Sequence, residues 1–231
     1  MVRAARVMGF AGLNVTYPCK QSVIPLLDAL SEEAKAIGAV NTVVRDGKRL
    51  VGHNTDGSGW SWGFRRALPR ADLTRVVLLG AGGAGSACAD AVLRLGAEQV
   101  RVVDQDNSRA AALADRLTVH FGNGRARTLD SVKAAMVGAS GLIHATPVGM
   151  AKHPGLPLAE ALLRPSLWVS EVVYVPLETP LLKAARQAGC AVVDGGHMNV
   201  GQALGAFRLF TGRDADPARM DAHFRRLVSA A

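Results

Sequence analysis

From Arg75 onward, apolar residues come in short unbroken runs separated by stretches in which they recur every three or four positions. VVLL (76–79), VRVVD (100–104), GLIHA (141–145), LWVSEVVY (167–174) and CAVVD (190–194) are the runs. Runs of this length without polar alternation predict strands buried on both faces of a parallel sheet. A shorter strand-like piece lies near Ala126 to Thr128. Between the runs, periodic stretches predict helices: one with Ala87, Ala91 and Leu95 on a single stripe, then NSRAAALADRL, one from Ser131, and TPLLKAARQAG. Alternating strands and helices argue for βαβ units. The first third reads differently. VRAARVM (2–8) is the end of a helix stopped by Gly9, LNVTY is strand-like, and SVIPLLDAL predicts a helix with Pro25 near its first turn. VNTVVRDGKRLVGHN holds two alternating runs joined around Asp46-Gly47, a hairpin signal. At the other end, Asp216-Pro217 opens an amphipathic helix running through Arg226.

Composition narrows the classes. With 231 residues and 49% hydrophobic content the chain can bury a substantial core. The formal charge of +8 comes from basic residues spread in ones and twos, such as Arg65/Arg66 and Arg125/Arg127, and aromatics make up only 5%. That pattern suits attraction of small anions, not a nucleic-acid groove. Cys19, Cys88 and Cys190 are far apart with no C-x-x-C pair, so neither a disulfide framework nor a metal site is expected, and a cytoplasmic setting is. No apolar stretch approaches the ~20 residues of a membrane span, and the N-terminus has no signal-peptide pattern.

The glycine loop carries the first chemistry. Gly80, Gly82, Gly83 and Gly85 follow VVLL and open a helix, and Asp104 ends the next strand, 24 residues after Gly80. The first glycine makes the tight turn, the second admits a pyrophosphate and the third lets helix and strand pack closely. The pyrophosphate then meets the helix N-terminus. A carboxylate at Asp104 accepts from ribose hydroxyls and repels a 2′-phosphate, which favours NAD over NADP. Asp104 could instead cap the helix beginning near Asn107, a role compatible with the first. The fold class expected is α/β, with a Rossmann-type parallel sheet domain and a smaller α/β domain.

Oxidation of an alcohol needs a group to take the hydroxyl proton. Lys20, after a strand and a proline, and Asp56, in the glycine-rich loop GHNTDGSG, are candidates. Residue type alone does not choose them, because a lysine after a strand is usually solvated and Asp-Gly is usually a turn. Seven motifs in order settle the comparison: GLNVTYPCKQ, AKAIGAVNTV, GHNTDGSG, GAGGAGSA, ATPVGM, VVYVPLETPLLKAA and GHMNVGQALGAFRLFTG. Together they resemble the shikimate dehydrogenase family over nearly the whole chain, and Asp104 points to its NAD-dependent quinate/shikimate branch.

The resemblance implies Lys20 as the catalytic lysine and Asp56 as its partner. It implies Asn14, Thr16, Asn41, Tyr174 and Gln202 around a hydroxylated cyclic acid, shikimate or quinate. Gly195, Met198 and Thr146 would face the cofactor. It implies a substrate domain of residues 1–62 completed by 198–231, with an NAD-binding domain at 63–197 between. It also implies a preceding βαβ segment with a carboxylate-binding Ser-x-Ser element that these residues lack, so unpaired sheet edges and a homodimer are expected. A shortened, catalytically inactive dinucleotide-binding relative is the alternative. His144, Glu171 and Asn199 replace the family's usual asparagine, aspartate and apolar residue, and His144 reads as a hydrogen-bonded histidine near the cofactor cleft.

Overall fold

The computed structural model describes residues 1–229. In chain order the elements are α1 (Val2–Val7), β1 (Gly12–Asn14), a 3₁₀ turn (Ile24–Leu26), β2 (Ala29–Leu30), α2 (Glu32–Ile37), β3 (Thr42–Asp46), β4 (Arg49–His53) and α3 (Asp56–Ala67). Then follow β5 (Arg75–Leu79), α4 (Gly83–Arg94), β6 (Gln99–Val103), α5 (Asn107–Phe121), β7 (Ala126–Thr128), α6 (Val132–Met136) and β8 (Gly141–His144). A second 3₁₀ turn (Glu160–Leu162), β9 (Trp168–Glu171), α7 (Pro180–Gln187), β10 (Ala191–Val193), α8 (Gly195–Thr211) and α9 (Pro217–Ser229) complete them.

Two sheets form. The larger has the order β10-β9-β8-β5-β6-β7 with every pair parallel. This is the doubly wound arrangement, and its order reverses between β5 and β8, where a crevice opens beyond the strand ends. Strand alternation sends Val76 and Leu78 to one face and Val77 and Leu79 to the other. The first face packs beneath α4 and α5 with Trp60 and Phe64, whose rings stack with centroids 4.7 Å apart. The second face packs on α6 and α7, through Met136, Leu181 and Leu182. Helices on both faces explain why these strands read as continuous apolar runs. The smaller sheet is mixed, in the order β1-β3-β4-β2, with β2 parallel to β4 and the other pairs antiparallel. Its core is Val23, Ala34, Val40, Val43 and Leu50.

Helices α3 and α8 link the two layers. Their glycines allow an unusually close crossing: a Cβ on Gly59 would lie 2.7 Å from the Gln202 Cα, and one on Gly63 would lie 2.7 Å from the His197 Cβ. The approach brings the start of α3 and the middle of α8 to the same cleft.

Three local readings are corrected. SVIPLLDAL is a 3₁₀ turn followed by the two-residue strand β2, because Ala29 and Leu30 pair with Val51 and Gly52 and that ladder requires extended backbone. The GHNTDGSG segment is not a loop throughout: Gly52 lies in β4, Asp56 is the first residue of α3, and inside that helix Gly57 faces the Ala87 carbonyl of α4 while Gly59 meets the backbone of α8, which leaves no room for a side chain. The strand within LWVSEVVY ends at Glu171, whose carboxylate accepts from the Val172 and Val173 amides, the first of which also keeps its bond to the His144 carbonyl of β8.

Candidate active site

The corner at residues 54–56 is built by two buried asparagines. Asn54 donates through Nδ2 to the Ala39 carbonyl (2.9 Å) and accepts from the Asp56 amide (2.9 Å), a local turn that starts α3. Asn41 accepts from the Thr55 amide (2.8 Å), and its Nδ2 donates to Thr55 Oγ1 (2.8 Å), Asp56 Oδ1 (3.1 Å) and Gln202 Oε1 (3.3 Å). Asp56 thus stands at a helix N-terminus, where a negative charge is favoured. Its remaining oxygen, Oδ2, accepts from Lys20 Nζ at 2.6 Å, with side-chain exposure of 17% for the lysine and 3% for the aspartate. Lys20 arrives by the loop after β1 and lies against α4: a Cβ on Gly83 would be 2.9 Å from the Lys20 Cβ. The ammonium therefore sits where the small sheet meets the start of the dinucleotide-type helix.

A cleft of about 450 Å³ opens beside this pair. Of the residues singled out in the sequence, Asn14, Thr16, Lys20, Asn41, Asp56, Tyr174, Gly195, Met198 and Gln202 line it. Asn14 reaches the Asn41 cluster through Thr42 Oγ1 at 3.4 Å. The wall has a second, apolar part that sequence reasoning missed, formed by Phe207, Phe210 and Met220 from α8 and α9. The helical periodicity of α8 was the available signal for the first two. Asn199, which accepts from Gln202 Nε2 at 3.4 Å, also lines the cleft. Beneath Met198, Cys88 lies with its Sγ 4.0 Å from the thioether. Burial, then the Asp56 charge, push that thiol well up from its usual range, so it behaves as a small hydrophobe.

Gly80, Gly82, Gly83, Gly85, Asp104 and Thr146 lie away from the cleft lining, around the crevice between β5 and β8. Gly80 has φ +98°, and a Cβ there would be 2.8 Å from the Ala145 carbonyl oxygen. A Cβ on Gly85 would overlap the Gly80 carbonyl, whereas around Gly82 there is open space. Helix α4 begins without a side-chain cap, so its first amides have no side-chain acceptor. Asp104 accepts from the Ala81 amide (2.7 Å) and the Asp106 amide (2.9 Å). It does not cap α5, whose N-cap is Asp106, accepting from Arg109 N at 3.1 Å. A carboxylate oxygen has two lone pairs, so Asp104 keeps capacity for ribose hydroxyls. The loop, the bare helix start and the carboxylate fit a dinucleotide.

The start of α8 is held by a charged cluster. Asp194 caps the helix through the Gly196 amide (2.9 Å) and pairs with Arg225 of α9 (3.3 Å) and His197 (3.2 Å). Burial alone would raise its carboxyl, but the His197 hydrogen bond and charge together with Arg225 outweigh that and hold it at about 2. A depressed carboxylate contributes stability above its unfolded value of 3.8 and loses it as pH falls toward the folded value. Protection against hydrogen exchange at the start of α8, taken relative to the intrinsic amide rate at each pH, is therefore expected to fall between pH about 4 and about 2 in the native chain but not in Asp194→Asn.

A doubly wound sheet with a glycine loop at its switch point, facing a polar cleft with a lysine–aspartate pair, defines a dinucleotide-type α/β protein. Comparison with known proteins gives the family. Residues 1–43 match the Shikimate dehydrogenase substrate binding domain. The whole chain is 58% identical to 80% of a protein of Streptomyces avermitilis named shikimate dehydrogenase (NADP(+)). It is 48% identical, over 98% of its length and 81% of the relative's, to a Corynebacterium efficiens protein named quinate/shikimate dehydrogenase (NAD(+)). Quinate dehydrogenase of Corynebacterium glutamicum, solved in complex with NAD, superposes with a TM-score of 0.89 at 46% identity, covering 97% of this chain and 81% of that one. The chain belongs to the shikimate dehydrogenase family.

Proposed function

We propose that this protein is a nicotinamide-dependent dehydrogenase interconverting a hydroxylated cyclic carboxylic acid, shikimate or quinate, and its 3-keto form. The observation that carries the reading is the Lys20–Asp56 pair, 2.6 Å apart, on the wall of a polar cleft beside the glycine-loop helix. Bound NAD supplies the two-electron acceptor for the ring carbon. In the reducing direction the Lys20 ammonium gives a proton to the carbonyl oxygen as the hydroxyl forms; in oxidation the neutral amine, its extra proton already lost to solvent, takes the hydroxyl proton as the carbonyl forms. Asp56 fixes the position of Nζ, and Asn41 holds Asp56 through its other oxygen. Asn14, Thr16, Tyr174 and Gln202 supply hydrogen-bond partners for ring hydroxyls, whose burial without partners costs about 1–3 kcal/mol each. Gly195 and Met198 form the wall on the cofactor's reacting side, and Thr146 flanks it.

Residues 1–62 with 198–231 would form the substrate-binding unit, and 63–197 the dinucleotide-binding unit. Both boundaries fall inside helices, α3 and α8, so the two units share a rigid crossing instead of a linker. The reading is tested by following nicotinamide reduction with shikimate and with quinate; turnover of neither would overturn it.

NAD is the cofactor favoured, on Asp104. The Asp104 carboxylate beside the ribose opposes a 2′-phosphate, although Arg109, 3.9 Å from Asp104 and 3.5 Å from Asp106, offsets part of the charge. Asp104→Asn is expected to lower the ratio of kcat/KM for NAD over NADP by roughly tenfold, a 1.4 kcal/mol difference. An unchanged ratio would show that selection lies elsewhere.

A further inference from the structure

Beneath the crevice lies a buried polar chain that the proposed chemistry does not use. His144 ends β8 and Glu171 ends β9, as register partners on adjacent parallel strands. Their side chains are fully buried, and His144 Nδ1 is 2.8 Å from Glu171 Oε1. The same oxygen accepts from the amides of Val172 (2.8 Å) and Val173 (2.9 Å), and Oε2 accepts from the Thr179 hydroxyl (2.9 Å). With Glu171 acting throughout as acceptor, His144 Nδ1 carries the hydrogen that faces it. On the other side of the ring, Nε2 lies 2.5 Å from Thr146 Oγ1. That hydroxyl accepts from the Val148 amide at 3.3 Å, so its own hydrogen points to Nε2.

The chain joins two loops with different duties. Residues 145–150 leave β8 toward the glycine loop, where Thr146 Cγ2 would be 3.0 Å from a Cβ on Gly80. Residues 172–179 leave β9 and carry Tyr174 into the cleft. The loops also touch, since a Cβ on Gly149 would be 3.5 Å from the Thr179 Cβ. A buried polar network with every member satisfied is rigid, whereas a missing partner leaves a buried group without a hydrogen bond. Neither His144 nor Glu171 lines the cleft.

Resting on the dehydrogenase reading, we propose that His144–Glu171 is a positioning pair that locks the cofactor-facing loop to the Tyr174 loop, so that both present a fixed geometry to the reacting ends. His144→Phe keeps a ring of similar size and removes both hydrogen bonds. His144→Asn keeps a donor in the place of Nδ1 but cannot reach Thr146. Displacements of about 1 Å at a reacting centre cost on the order of 10²-fold in rate. The expected result for His144→Phe is a kcat roughly 10- to 100-fold lower, with substrate KM and NADH Kd within about threefold. In the cofactor-free protein, hydrogen exchange should quicken in both 145–150 and 172–179. For His144→Asn, quicker exchange should be confined to 145–150, with a smaller loss of kcat. A folded His144→Phe with kcat within about twofold of the native value, or quicker exchange in 145–150 alone, would overturn the proposal. If His144→Phe does not fold, His144→Asn decides it: native kcat together with native exchange in 145–150 would overturn it. Absence of turnover in the native protein would instead defeat the dehydrogenase reading, and the exchange measurements would still judge the pair.

Discussion

Lys20→Ala is expected to lower kcat by about 10²- to 10⁴-fold, the range typical for loss of a positioned acid–base group, while NADH binding followed by fluorescence stays within about threefold. The asymmetry follows from placement. Lys20 Nζ meets Asp56 at 2.6 Å on the wall of the cleft, whereas on the proposed reading dinucleotide affinity would rest on the glycine loop, the bare N-terminus of α4 and Asp104. A methyl group at position 20 leaves those untouched. It does leave the Asp56 carboxylate, only 3% exposed, without its cation, so a fall in Tm accompanies the lost turnover. Lysine is suited to this place because one compact ammonium on a flexible stem can serve both the carboxylate and a substrate oxygen. Loss of NADH affinity in parallel with kcat would show that Lys20 holds the cofactor instead.

Gly59→Ala is expected to damage both stability and activity. The new Cβ would stand 2.7 Å from the Gln202 Cα, a backbone atom that no rotamer change can move aside. Overpacking costs typically about 1–3 kcal/mol, and a clash between two helix backbones belongs near the upper end. For a chain of this size each 1 kcal/mol shifts Tm by about 2–4 °C, so a fall of about 6–12 °C is expected. Activity should fall further than stability alone requires. Asp56 precedes Gly59 by one helical turn and Gln202 is the residue struck, so parting α3 from α8 separates two ends of the Asn41 hydrogen-bond cluster. Gly82→Ala makes the contrast, since its Cβ meets open space. Its Tm should match the native protein's, because only an arriving pyrophosphate would feel the methyl group.

The glycines of α3 also explain what sequence reading could and could not reach. Within GHNTDGSG they looked like a turn, since glycine costs a helix interior about 1 kcal/mol relative to alanine. Gly59 serves the crossing with α8, a partner about 140 positions away, and Gly57 faces the Ala87 carbonyl of α4. The doubly wound sheet was legible because strands covered on both faces leave continuous apolar runs, and because a glycine loop between a strand and a helix is a local pattern. Strand β2 was not legible, because two residues paired with β4 leave no periodicity of their own. Lys20 and Asp56 were visible as residues, but their separation of 36 positions closes only through the fold. The His144–Glu171 pair was hidden for the same reason: each ends its own apolar strand, and only strand register makes them neighbours.

The most direct test follows nicotinamide absorbance by stopped flow, using the native protein and Lys20→Ala, each saturated with NAD and mixed with shikimate or quinate. The account predicts rapid formation of reduced nicotinamide in the native protein with at least one of the two acids, and none on that timescale in Lys20→Ala despite undiminished cofactor binding. Reduction at equal rates in both proteins, or in neither, would contradict it.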